Sequence, residues 1–315
     1  MDGDDLELFE RVLRGATETA TGAELDRALD ALEWRDALRA EPRAAISVLF
    51  ERQGAAGAAS SALDAVVLDA LGLDRAGAVV WPALGGYDAP GKFADGRLVV
   101  RGLGSTATAG GETVTVVASG DGAEWRATTV PTVALTVRRV QGLDPGAGLA
   151  EISGEIDAGE ATTVGWDEAV RRARLALSHE LIGASRSMLE MARLHALERI
   201  QFGVPIASFQ AVRHRLAETL VAIEAANAAA DAAWLDESTH HAAIAKSLAG
   251  RGARTAARHC QQVLAGIGFT KEHPFHRYLR RVVLLDELFG SSRLLTRELG
   301  EQVLAAGELP PLLPL

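Results

Sequence analysis

The chain has 315 residues, enough for two or three packed domains, with the apolar and charged fractions (48% and 23%) of an ordinary globular protein. A formal net charge of −10 excludes a non-specific nucleic-acid binder, which needs a basic face to neutralise phosphates. The single cysteine, Cys260, excludes an internal disulfide, fits a reducing compartment and reads as a small buried hydrophobe within a helical pattern.

The opening Met-Asp-Gly-Asp-Asp is acidic and has no apolar core, and no run approaches the roughly 20 apolar residues of a membrane span. The expected setting is cytoplasmic, with neither nucleic acid nor membrane as partner. Residues 5–72 read as helices. Leu6, Phe9 and Leu13, then Leu25, Leu29 and Leu32, recur at helical spacing around a break at Thr21-Gly22. Glu41-Pro42 opens a further helix, Gly54 and Gly57 interrupt it, and Ser60-Ser61 caps the apolar run Leu63–Leu71. This region, residues 1–75, reads as a reduced N-terminal helical domain and as scaffold.

The period then changes. Short β-branched stretches at 78–81, 97–101, 113–117, 127–130 and 134–138, parted by Gly, Asp and Pro, predict a small antiparallel β domain over 76–160 that ends near Ile156. The alternation in 113–117 predicts one wet face. Gly85-Gly86, Gly102-Leu-Gly104 and Gly110-Gly111 read as turns. They are not read as phosphate loops, because none ends in Lys-Thr and none is expected to lead from a strand straight into a helix.

From Trp166 the pattern is helical almost to the end. One helix carries Leu177, Leu181, Ala184, Met188 and Ala192 and ends near Phe202, and a second runs from Phe209 to about Trp234. A third stops at Gly266 and Gly268, and a fourth spans Leu279 to Leu299. The expected architecture is α+β and multidomain, with a C-terminal four-helix bundle over 161–315.

Between the first two bundle helices, Gly203 supplies a helix stop and Pro205 cannot continue a helix, so a turn is expected. Around it sit a guanidinium (Arg199), two amides (Gln201, Gln210) and two rings (Phe202, Phe209). A turn between helices needs none of these for solubility. A groove for a flat, phosphate-bearing cofactor uses all of them. The plain structural alternative has Arg199 paired with a bundle acid and the glutamines capping the turn.

The stretch resembles the helix–turn–helix of flavin-dependent acyl-CoA dehydrogenases, which reads roughly Arg-x-x-Phe-Gly-x-x-Ile-x-x-Phe-Gln. Gln262-Val-Leu-Ala-Gly-Ile-Gly-Phe269, with Glu272-His-Pro274 and Arg280 after it, is similar to that family's Gln-x-x-Gly-Gly-x-Gly-Tyr/Phe, with Ala265 in place of the first glycine. The order helices, β domain, bundle is also the family's. The resemblance implies that Arg199, Phe202, Gln210, Gln262 and Gly266 contact the ADP portion of an FAD held mainly by a neighbouring subunit, with Gln201 as a second polar contact.

Two departures accompany the match. The family's base is a glutamate that takes the substrate α-proton while hydride leaves the β-carbon for the flavin. By resemblance, one site for it falls on Phe289, before Gly290, and the other on Ala173. Glu168, Glu180, Glu272 and Glu287 are near in sequence but off those positions, and Glu180 is the one candidate for an unorthodox base. Nothing between Gly72 and Val117 matches the family's Thr-Glu and Gly-Ser-Asp flavin cradle. The resemblance is therefore to the short subunits of actinobacterial heteromeric steroid or fatty acyl-CoA dehydrogenases. It implies an α2β2 assembly in which this chain completes the FAD site of a full-length, base-bearing partner that also holds most of the substrate. The alternatives are a homomeric enzyme using Glu180 and a non-enzymatic helical scaffold or metal protein. For the metal reading only Glu237-Ser-Thr-His240 has the Glu-x-x-His spacing, and it falls at an expected helix end.

Overall fold

The computed structural model describes residues 3–73, 77–120, 124–157, 159–236 and 238–307. Glu237 and the residues after Gly307 lie outside these. Five helices open the chain: α1 (Gly3–Thr19), α2 (Ala23–Ala31), α3 (Trp34–Ala40), α4 (Pro42–Ala56) and α5 (Ala62–Ala70). Pro42 stands at the start of α4, where a missing N–H goes unnoticed, and Gly57 ends the helix in the left-handed region at φ 65°. Ser60 Oγ accepts the Ala62 N–H at the start of α5.

Gly54 does not break its helix, contrary to the sequence reading. It lies inside α4, where a Cβ would overlap the backbone carbonyl of Glu180. Gly183 does the same in return against the carbonyl of Glu51. The two glycines let α4 cross the first bundle helix, α7 (Trp166–Glu198), at backbone contact.

The strands are β1 (Ala78–Val79), β2 (Gly91–Ala94), β3 (Arg97–Gly104), β4 (Thr113–Ser119), β5 (Trp125–Pro131), β6 (Thr136–Arg139), β7 (Ala150–Asp157) and β8 (Thr162–Val164), with the short α6 (Thr106–Gly110) after β3. Among the described residues they form one sheet in the order β6-β7-β3-β2-β4-β5-β8, with β1 also beside β4. Pairing is antiparallel except where β1 and β2 meet β4 in parallel. The sheet continues past residue 160 through β8, whose pairing with β5 the sequence pattern did not signal.

Three expectations for this region fail. β4 is buried on both faces, Thr115 included. Val117 packs toward the helices while Val114 and Val116 join a second small core across the sheet, so neither face is wet. Gly102 and Gly104 lie within β3, not in a turn. A Cβ on Gly102 would overlap the carbonyl of Trp81, which pairs with Leu103 there. β3 also runs straight into a helix through Ser105. That corner holds protein instead of phosphate: Ser105 Oγ accepts the Ala107 N–H and donates to Asp64 at 2.5 Å. Asp64, fully buried on α5, also accepts from Trp81 Nε1 at 2.8 Å and so fastens the first helices to the sheet.

The bundle comprises α7, α8 (Gln210–Leu235), α9 (Thr239–Leu264), α10 (Phe275–Glu287) and α11 (Ser292–Ala306). α7 is buried almost all round from Ala169 to Ser185, because α4, α8, α9 and α10 all pack on it. Cys260 is buried on α9, where its thiol is pushed up to about 12. The expected fourth helix is two helices. Phe289 and Gly290, at φ 54° and 100°, break it, and Ser291 Oγ caps α11 through the Leu294 N–H. The carbonyls freed at the break find buried cations. Lys246 Nζ donates to Asp286 O at 2.9 Å, and Arg174 Nε to Phe289 O at 3.1 Å. Among the described residues no helix is long and apolar enough to cross a membrane.

Candidate functional site

α7 ends at Glu198, and the chain turns back through a tight hairpin, β9 (Ile200–Gln201) and β10 (Val204–Pro205). Gly203 therefore serves a two-residue hairpin turn with Phe202, at φ 79° and 52°, and is not the helix stop the sequence suggested. The Arg199 N–H donates to His195 O, and the Ile206 N–H to Arg199 O, both at 2.8 Å, which fixes the arginine at the helix end. Phe202 projects into solvent, 93% exposed, and meets Phe209 edge to face at 6.1 Å. An exposed phenylalanine in a positive-φ turn gains nothing from folding alone.

The hairpin, the start of α8 and the end of α9 enclose an open cleft of about 800 Å3. Of the residues singled out from sequence, Arg199, Gln201, Phe202, Gln262 and Gly266 line it together. Gln210 does not: it is the exposed first residue of α8, between two lining residues, Phe209 and Ala211. Sequence reasoning missed His195 and Arg215. His195 stands four residues before Arg199 on the same helix face, a spacing that could have found it. Arg215 lies on the second turn of α8.

Among the described residues no aspartate or glutamate lines the cleft. In a chain with 42 acids and 32 lysines and arginines, a lining of two guanidiniums and an imidazole is selective for anions. Among the described residues neither Arg199 nor Arg215 has a carboxylate within ion-pair distance. The expectation that Arg199 pairs with a bundle acid thus finds no support. Gly266, where a Cβ would meet open space, leaves backbone bare beside Gln262. Guanidiniums for phosphates, rings for a base and amides for polar edges suit the ADP end of a dinucleotide.

Ala265 closes α9 at φ 52° and ψ −133°, a region that glycine visits and other residues avoid. Relief of that strain outweighs the extra freedom of an unfolded glycine. Ala265→Gly is expected to stabilise the chain by about 1 kcal/mol, read as a higher denaturation midpoint. An unchanged or lower midpoint would show that the strain is not there.

The two positions tied by resemblance to the base, Ala173 and Phe289, are 0% and 1% exposed. Phe289 packs against Trp166 at 6.3 Å, Trp166 Nε1 donates to Tyr87 O, and Arg174 lies over the Tyr87 ring at 4.4 Å. That part of the chain is filled with its own side chains. Glu180 is also fully buried, beside a space of only about 40 Å3 where the first helices, the sheet and the bundle meet. Arg281 lies 3.7 Å from it, bound also to Asp144 at 2.5 Å and to the carbonyl of Ala58. Glu168 pairs with Arg171 and Arg172, and Glu287 with Arg254. Among the described residues no group of three or more acids, histidines or cysteines is placed to hold a metal.

Residues 166–304 match the family profile described as acyl-CoA dehydrogenase, C-terminal domain. The acyl-CoA dehydrogenase IpdE2 of Mycobacterium tuberculosis is 37% identical over 131 residues, which are 42% of this chain and 41% of that protein. The alignment thus spans less than half the length of this curated relative. Among solved structures, a variant of the Tcur3481–Tcur3483 steroid ACAD superposes with a TM-score of 0.80 over 97% of this chain and 99% of that one, at 20% identity. The ChsE4–ChsE5 complex of Mycobacterium tuberculosis gives 0.79 over 99% of both chains, at 19% identity. The chain therefore has the acyl-CoA dehydrogenase fold, and its residues 166–304 are similar to that family's C-terminal domain.

Proposed function

We propose that this relative of the acyl-CoA dehydrogenases is a subunit of a heteromeric, FAD-dependent enzyme, and that it completes the FAD site of a base-bearing partner. The observation that carries the reading is a contrast within one chain. The cleft at the hairpin is open, cationic and ringed by Phe202 and Phe209, while Ala173 and Phe289 are sealed in packed core. A chain shaped only as scaffold would have no use for the first feature. A chain doing the chemistry itself would not have the second.

The cleft residues fit the ADP portion of FAD. Arg199 and Arg215 would bind the diphosphate, Phe202 and Phe209 would offer a face to the adenine, and Gln201 and Gln262 would reach polar edges. When bound, FAD supplies the acceptor for the hydride leaving the substrate β-carbon. The α-proton would go to a carboxylate of the partner, since this chain places none at either expected position. The substrate is an acyl-CoA thioester, and a steroid-derived acyl group is favoured by the steroid ACAD among the structural relatives. The expected assembly is α2β2, with fewer flavins than chains.

Flavin counting tests this directly. The chain purified alone is expected to be colourless, and co-expression with a base-bearing partner should give a yellow complex holding fewer FAD molecules than chains. One tightly bound FAD per subunit in the isolated protein would remove the heteromeric reading.

A further inference from the structure

Within the proposed nucleotide cleft, on whose reading this rests, we infer that His195 is a third anion-binding group, which takes up a proton as a diphosphate enters between Arg199 and Arg215. Three observations converge on it. His195 lines the cleft four residues before Arg199, and Arg215 of α8 lines the same cleft. Among the described residues its ring nitrogens have no hydrogen-bond partner, so both are free to donate to a ligand. It also stands in the last turn of α7, where exposed carbonyls favour a cation.

Its charged neighbours define what the ligand must change. Burial first, then Arg199 and His273, hold the imidazole below its ordinary value, and Glu198 opposes them weakly. His273, before α10, is itself held down by burial and by His276. Arg215 lines the same cleft from α8, and α9 contributes Gln262, which is uncharged. In the free cleft the neutral imidazole is therefore favoured. A diphosphate bound in the cleft offsets the repulsion of Arg199 and favours the imidazolium, which then donates a charge-assisted hydrogen bond.

The sign of the pH dependence follows. Between the low midpoint of the free cleft and the raised midpoint of the occupied one, binding consumes a proton. The His195 contribution to diphosphate affinity thus rises as pH falls across that window, by at most about tenfold per pH unit, and is flat outside it. A histidine with a purely structural role would show no such coupling.

The test follows the His195 ring by NMR in the full chain, titrating pH without ligand, with saturating ADP and with adenosine at equal concentration. ADP is expected to raise the His195 midpoint by about one pH unit, and adenosine to leave it in place. In His195→Gln, ADP should still bind through the arginines, keeping only the pH dependence of its own terminal phosphate, which titrates at about pH 6. ADP binding with an unmoved His195 midpoint overturns this inference and leaves the nucleotide reading standing. No ADP binding at any pH overturns this inference, and the heteromeric reading is then decided by the flavin count of the complex.

Discussion

The isolated chain is expected not to dehydrogenate acyl-CoA thioesters: it would lack the flavin that accepts the hydride, and the absence of a positioned general base alone costs about 10²–10⁴-fold. Ala173 and Phe289 offer no proton acceptor, and both are closed in by neighbours. The serious rival is Glu180. Burial pushes its carboxyl up to about 7 despite the opposing pull of Arg281 and a hydrogen bond from Gln53, and such a value suits a base at neutral pH. Geometry decides against it. The space beside Glu180 is about 40 Å3, little more than the roughly 30 Å3 share of one water in the liquid, and ligand sites begin near 300 Å3. Arg281 also ties the carboxylate to Asp144 and Ala58, so the group joins three regions of the chain. Glu180→Gln in the complex should leave turnover unchanged. Turnover by the isolated chain that vanishes in Glu180→Gln, with its circular dichroism intact, would reverse this argument.

What could be read from sequence depended on how local the signal was. The long bundle helices were legible because each buries a continuous apolar face, and the hairpin stood out because Gly203 and Pro205 cannot both sit in a helix. Boundaries set by tertiary contacts were not legible. Gly54 looked like a helix break because its role depends on Gly183, more than a hundred positions away on α7. Gly102 and Gly104 looked like turns for the same reason: their missing side chains make room for Trp81 and for Ile152 and Thr108. The split between α10 and α11 had a local sign, Gly290 followed by Ser291-Ser292. It was outweighed by leucines that keep helical spacing across the break. In the cleft, Arg199, Gln201, Phe202, Gln262 and Gly266 come together as a set. Their grouping rested on resemblance, since α9 meets the hairpin only after the bundle folds. His195 and Arg215 lay outside any quoted pattern, and the structure alone brings them to the same cleft.

Arg199→Ala should weaken FAD binding by the assembled complex about tenfold to 150-fold, the equivalent of roughly 1.5–3 kcal/mol for a hydrogen bond to a charged group. The residue is exposed, caps α7 through its backbone alone and has no carboxylate partner among the described residues. Removing its side chain therefore strips no buried group of its partner, and folding and assembly should survive. Arg199→Lys should recover only part of the affinity, because an ammonium cannot make the paired planar contact of a guanidinium with a diphosphate. Arg215 in the same cleft sets a ceiling on the loss, and Arg199→Ala combined with Arg215→Ala should lose more than either alone. Titrating FAD into deflavinated wild-type, Arg199→Lys and Arg199→Ala complexes gives the order. The structural alternative reverses it: assembly weakens, and flavin affinity is normal once assembly is restored. Equal dissociation constants across the three complexes would take Arg199 out of the cofactor site and remove the main support for a shared flavin.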